Sequence, residues 1–226
     1  MTDFFREVDE ELRNERMRSI WKNYGKWMIA AVILLVAAVG GYRFYLYWAE
    51  KQAEASGDQY LSALNLAQDG DQAAAQAIFK NLEKEGYRAY PELARLRAAG
   101  TLLADGKTAE GIMALDALAG DASVMSDLRD YARIEAVLAA VDGVSYEELE
   151  KRTAPILASN NPWRYLAQEA MALSAWKGNR LDETAKWVGE LKKNNAVPQG
   201  MRQRIRLLEE LVIAAGGKIP AQDQNG

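Results

Sequence analysis

The chain has 226 residues, with 28 Lys and Arg against 32 Asp and Glu, a net charge of −4, and neither cysteine nor histidine. Without those two residue types there is no Ser-His-Asp triad, no Cys-His pair, no His/Cys zinc centre and no disulfide framework. The mildly acidic balance argues against a nucleic-acid partner, which requires a basic footprint.

Residues 1–26 read as an amphipathic arm. Thr2 or Asp3 can cap a helix whose first turns are acidic and later turns basic, in keeping with the helix dipole. Phe5, Val8 and Leu12 fall on one stripe; Ile20, Trp21 and Tyr24 fall on another. A helix at the membrane surface and a cytosolic docking or degradation signal both fit this pattern.

From Trp27 to Tyr47 the sequence is WMIAAVILLVAAVGGYRFYLY, 21 residues with the single charge Arg43 near the far end. A helix of this length rises roughly 30 Å, the thickness of a bilayer's hydrocarbon core. Trp27 stands at one end; Tyr42, Tyr45, Tyr47 and Trp48 stand at the other, as expected of side chains that prefer the headgroup level. Arg43 can snorkel outward. Residues 27–48 are therefore assigned as a transmembrane helix. A cleaved signal peptide ending near Ala38-Val39-Gly40 fits less well, because the preceding 26 residues exceed a normal leading region and the apolar run continues into bulky aromatics. The flank before the span holds Arg13, Arg16, Arg18, Lys22 and Lys26, whereas the following 20 residues hold only Lys51. The positive-inside rule places the N-terminus in the cytoplasm and residues 49–226 across the membrane.

The exported part has 21 Lys and Arg against 26 Asp and Glu, a net charge of −5. It is rich in Ala, Leu, Glu, Lys and Arg and broken by short Gly, Asn and Pro turns, a helical pattern. Those breaks are periodic: Gly70, Gly106, Gly143 and Gly178 lie 36, 37 and 35 residues apart. Each is expected in the left-handed conformation that ends a helix. Seven residues before each stand Ala63, Ala99, Ala136 and Met171. Three before stand Ala67, Leu103, Ala140 and Ala175, and nine after stand Phe79, Leu115, Arg152 and Trp187. A small residue lets a partner helix approach and a large one fills the groove, which is the logic of tetratricopeptide-type hairpins with a period near 34 residues.

The expected hairpins pair 50–68 with 71–85, 91–104 with 107–119, 127–142 with 145–158, and 163–176 with 180–194. A capping helix at 199–215 completes a repeat domain at 49–215. The fold class is all-α, a single N-terminal transmembrane helix followed by a tetratricopeptide-like helical-hairpin solenoid. Pro91, Pro162 and Pro198 mark helix starts. Pro155 is expected to distort or shorten its helix, and Arg152 departs from the rule for its position, so the third repeat is the least regular. Residues 216–226 are expected to be a disordered tail.

In the segment Asn161-Pro162-Trp163-Arg164, Asn is expected to cap, Pro to open the helix and Trp to pack on the preceding hairpin. The sharper reading makes Trp163, Arg164 and Trp176 a peptide-binding hot spot. The packing reading is preferred, because large aromatics at helical spacing are usually core. No phosphate-binding loop or dinucleotide fingerprint is present, and the carboxylates fall on solvated helix faces. No catalytic, cofactor-binding or metal-binding residue is assigned, no cofactor is expected, and the chain is not expected to be an enzyme. Partner-binding residues stay unassigned.

Several stretches together resemble one family: FREVDEELR and WKNYGKW before the span, LARLRAAGTLLADGK, LRDYARIEAVLAA, NPWRYLAQEAMALSAWKGNRLDETA and VPQGMRQRIRLLEEL. They are similar, in order and over nearly the whole chain, to the YfgM-type ancillary subunit of the Sec translocon, a membrane-anchored tetratricopeptide-like family. The resemblance implies a single-pass inner-membrane protein with a periplasmic repeat domain that associates with translocon subunits and periplasmic chaperones. It brings no catalytic motif. The alternative is a structural or regulatory scaffold for envelope assembly or cell division.

Overall fold

The computed structural model describes residues 2–158 and 160–220, with side chains from Arg18 onward except at 19, 20 and 23. The described residues form nine α-helices and no strand: α1 (Thr2–Gln68), α2 (Gln72–Glu85), α3 (Tyr90–Ala104), α4 (Thr108–Gly120), α5 (Ser126–Ala140), α6 (Tyr146–Leu157), α7 (Arg164–Lys177), α8 (Leu181–Lys193) and α9 (Gln199–Ala214). The chain divides into two units, Met1–Ala55 and Ser56–Gly226.

The first unit is helical from Thr2. The expected cap at Thr2 or Asp3 and the stripe Phe5, Val8, Leu12 fall outside the described side chains, as does Ile20. From Trp27 the side chains are large, apolar and exposed. Ile33, Leu34, Leu35 and Val36 are between 63% and 71% exposed, and Trp27 reaches 76%. This part of α1 is long and apolar enough to cross a membrane, with a mean hydropathy of 2.0 over its most apolar 18 residues and none of them buried.

The second unit is a succession of antiparallel hairpins. The end of α1 packs on α2 through Tyr60, Ala63, Phe79 and Leu82, and from α2 to α9 each helix packs on the next. Three of the four hairpin turns share one device. The left-handed residues Gly70 (φ 89°), Gly106 (φ 75°) and Asn179 (φ 54°) follow α1, α3 and α7. The next residue's N–H returns to the last helical turn: Asp71 to the Leu66 carbonyl, Lys107 to Leu102 and Arg180 to Ala175, each at 2.9 Å. This six-to-one bond is the Schellman closure, which satisfies carbonyls that the helix end would otherwise orphan.

Two expected glycines are thereby corrected. Gly178 is the last residue before the left-handed position (φ −79°), and Asn179, whose short amide tolerates positive φ, takes the turn. Gly143 is not left-handed either. Its N–H and that of Val144 both return to the Ala140 carbonyl, at 2.9 and 3.1 Å, and the linker from α5 to α6 is longer. Ser145 then starts α6 by accepting from the Glu148 N–H at 3.3 Å.

These turns move the register of the second helices. Counting from Asp71, Lys107, Ser145 and Arg180, the eighth residue onward is Phe79, Leu115, Thr153 and Val188, all at most 2% exposed. The fillers in the third and fourth hairpins are therefore Thr153, beside the Arg152 that departs from the rule, and Val188 in place of Trp187. The buried Thr153 hydroxyl donates to the Leu149 and Glu150 carbonyls, at 3.0 and 3.1 Å, which removes the penalty of an unpaired polar group. Arg152, 27% exposed, bridges α6 to Asp116 of α4 at 2.7 Å.

Close approach is clearest between α3 and α4. Ala99 is fully buried, and a Cβ on Gly111 would lie 2.5 Å from Leu103 Cδ2 and 3.2 Å from the Ala99 carbonyl oxygen. α6 is the shortest helix among the described residues at 12, with Pro155 inside its last turn. Gly216 (φ 86°) ends α9, the Gly217 N–H closes on the Val212 carbonyl at 2.9 Å, and Ile219 packs on the α8–α9 core. Residues 221–226 lie outside the described residues.

Candidate interaction surface

Where α5, α7 and α9 come together, the packing leaves a cavity of about 390 Å³. Ile134 and Val137 of α5 belong to one core, and Ile205 and Leu208 of α9 to another. α7 between them is thin, because it presents Ala167, Ala170, Ala172 and Ala175. Leu138, Leu166, Leu173 and Leu208 line the gap, and Leu138 and Leu173 are left 38% and 43% exposed at its mouth. Leu211, one turn beyond Leu208, is also exposed.

Two charged residues join the apolar lining, Glu169 of α7 and Arg204 of α9. The guanidinium grips the carboxylate along one edge, with Nε on Oε1 at 2.6 Å and Nη2 on Oε2 at 2.7 Å. The Glu169 side chain is 11% exposed while that of Arg204 is 57% exposed. Glu169 is thus consumed by the pair, while Arg204 keeps its remaining donors toward solvent in a fixed orientation. Hydrogen bonding to Glu169 holds the Arg204 pKa above its ordinary value.

A second cavity, of about 580 Å³, lies at the α8–α9 turn, and Leu191 and Ile205 border both cavities. Its lining is basic, with Lys192, Arg202 and Arg206. Arg202 donates to the Val197 carbonyl at 2.9 Å and to that of Asn195, and so staples the turn. Lys192 pairs with Glu209 at 2.5 Å.

Of the three side chains weighed as a hot spot, Trp163 and Trp176 pack on different cores. The Trp163 N–H is held by Asn161 Oδ1 at 2.9 Å, and its ring lies 5.3 Å from Tyr131. Trp176 packs at the edge of the α8–α9 core, and Arg164 is exposed. The sequence reading missed Leu138, Leu173, Glu169 and Arg204. A usable signal exists in α7, where Leu166, Glu169 and Leu173 recur at helical spacing in an otherwise alanine-rich helix. Nothing in the sequence pairs Glu169 with Arg204, 35 residues away.

Comparison with known proteins agrees with this architecture. No curated protein matches the chain, and no solved structure does. A family model described as a tetratricopeptide repeat-like domain matches residues 18–151, a stretch that begins before the apolar run and ends inside α6. Since that match covers more than half of the 226 residues, the chain belongs to the tetratricopeptide repeat-like domain family.

Proposed function

We propose that the protein is a membrane-anchored, non-enzymatic interaction module, an accessory subunit of the Sec translocon that engages periplasmic chaperones or emerging clients. The observation that carries the reading is that one family match spans both the apolar run and the first repeats. The resemblance to the YfgM-type subunit supplies the translocon and the chaperones. Cation asymmetry around the span favours a cytoplasmic N-terminus and a repeat domain on the far side, and the family resemblance makes that membrane the inner membrane and that side the periplasm.

The physics of such a protein is that of a tether. Tetratricopeptide-like domains generally bind other proteins and carry no catalysis. Fixing the domain to the plane of the membrane raises its effective concentration near any membrane partner, so a weak contact becomes well occupied. A periplasm-active reporter fused after Gly226 should be active, and protease added to spheroplasts should digest the domain. In-membrane crosslinking should capture channel subunits or chaperones, and removing residues 1–47 should weaken that capture far more than neutralising any single Asp or Glu. Capture of division or wall-synthesis proteins instead would replace this reading with that of an envelope scaffold.

A further inference from the structure

We propose that the cavity between α5, α7 and α9 receives an acidic–apolar segment of a protein partner, with large apolar side chains among the leucines and a carboxylate on the free edge of Arg204. The inference rests on the interaction-module reading and names the chemistry of what that module takes.

Three observations carry it. The cavity, at about 390 Å³, is in the range of pockets that hold a few apolar side chains. Leu138 and Leu173 are 38% and 43% exposed at its mouth, so covering them gains stability in proportion to the apolar area removed from water.

The second observation is the asymmetry of the ion pair. Both Glu169 oxygens are engaged by Arg204 and the side chain is only 11% exposed, so its charge is already paired and little of it faces an incoming cation. Arg204 is still 57% exposed, and its orientation is already fixed by the buried carboxylate, so little further ordering is required when a second carboxylate binds.

The third is the surrounding charge. Arg202 and Arg206, with Lys192 in its pair with Glu209, line the adjoining cavity across the Leu191 and Ile205 that both cavities share, and no carboxylate joins them in that lining. This local excess of cations lies in a domain whose net charge is −5. An acidic segment is therefore drawn to this corner of a molecule that repels it elsewhere.

The experiment uses the full chain in nanodiscs and fluorescence anisotropy with short labelled peptides containing Leu-Phe-Asp-Leu, Leu-Phe-Asn-Leu or Leu-Phe-Lys-Leu. The aspartate peptide should bind saturably, and the lysine peptide roughly tenfold or more weakly. Arg204→Gln should erase the preference for Asp over Asn. Because that variant leaves Glu169 unpaired, Leu138→Ser and Leu173→Ser serve as independent probes. Both positions are partly exposed, and each substitution should lower binding of all three peptides with an unchanged thermal melt. Equal binding of the Asp and Lys peptides, or binding indifferent to both leucine variants, overturns the proposal. If no peptide binds while crosslinking to membrane partners persists, this occupant is wrong and the interaction-module reading stands. If both are lost in the native chain, the reading beneath it falls as well.

Discussion

The apolar run of α1 and the middle of α7 are both hydrophobic helices, and they are built from different residues. Between Trp27 and Tyr47, α1 displays Ile, Leu, Val and aromatics that are mostly more than half exposed. α7 buries Ala167, Ala170, Met171, Ala172 and Ala175 completely and packs against α5, α6 and α8. A helix packed by other helices needs small residues, since its neighbours are rigid and must approach closely. A helix solvated by hydrocarbon chains has no such limit. It gains from maximal apolar area and from having every backbone group paired within itself.

The largest test of this contrast moves one charge between the two helices. Leu34→Lys should remove most of the chain from the carbonate-resistant membrane fraction, since a central cation costs about 2.5–3.5 kcal/mol on insertion scales. The thermal melt of the detergent-solubilised chain should not change. Ala172→Lys should do the reverse and abolish the cooperative melt while leaving membrane association intact. Identical outcomes for the two variants would mean that both helices are packed in protein.

Next in size are the close approaches within the repeats. Ala99→Trp should destabilise by about 3 kcal/mol or more, the upper end of overpacking. Leu115→Ala should cost about 2–5 kcal/mol by leaving a cavity. Thermal melts of these variants, with far-ultraviolet circular dichroism confirming a helical spectrum, check both. Indifference to the tryptophan would mean that Ala99 does not face Gly111.

Smaller effects belong to the third and fourth hairpins. Arg152→Leu should change stability by roughly 0.5 kcal/mol or less, as expected for a surface ion pair. Thr153→Ala, one residue further on, should be clearly more damaging, because it opens space in a fully buried position. The opposite ranking in urea titrations would mean that Thr153 does not fill the core of that hairpin.

The smallest expected effect is electrostatic. Hydrogen bonds from the Ser123 hydroxyl, Arg95 and the Ser123 N–H hold the Asp121 carboxyl down from 3.8 to about 2. The folded pKa lies below the unfolded one. The associated stabilisation is therefore fully present well above pH 3.8, declines as pH falls through 3.8 and is lost toward 2. In Asp121→Asn that part of the acid dependence should vanish, while the slope above pH 5 stays the same. An unaltered acid limb would show that Asp121 is not coupled to folding.

The hairpin succession was legible because it is written in local chemistry. Ala63, Ala99 and Ala136 stand at a fixed distance before each turn, and all are buried. Gly70 and Gly106 do adopt the left-handed turn. The reading slipped where two residues compete for one role. Beside Gly178 stands Asn179, which also tolerates positive φ, and only the backbone path decides between them. That single-residue difference converted Trp187 from core filler to flank and put Val188 in its place. The cavity was not legible, because its five leucines come from four helices, each with other apolar residues already allotted to a neighbouring core.

By itself the sequence determined the all-helical class, the positions of the helices, the apolar run and the absence of His and Cys chemistry. Each of these depends on residue type and short-range spacing, and no distant neighbour changes it. The tertiary structure alone decided which residue of Gly178 and Asn179 closes the last hairpin, that Ile219 docks on the α8–α9 core, and that Glu169 meets Arg204 between exposed leucines. Those outcomes follow from how rigid helices stack. A shift of one residue in a turn rotates the next helix by about 100° and so chooses which side chains are buried and which are offered to a partner.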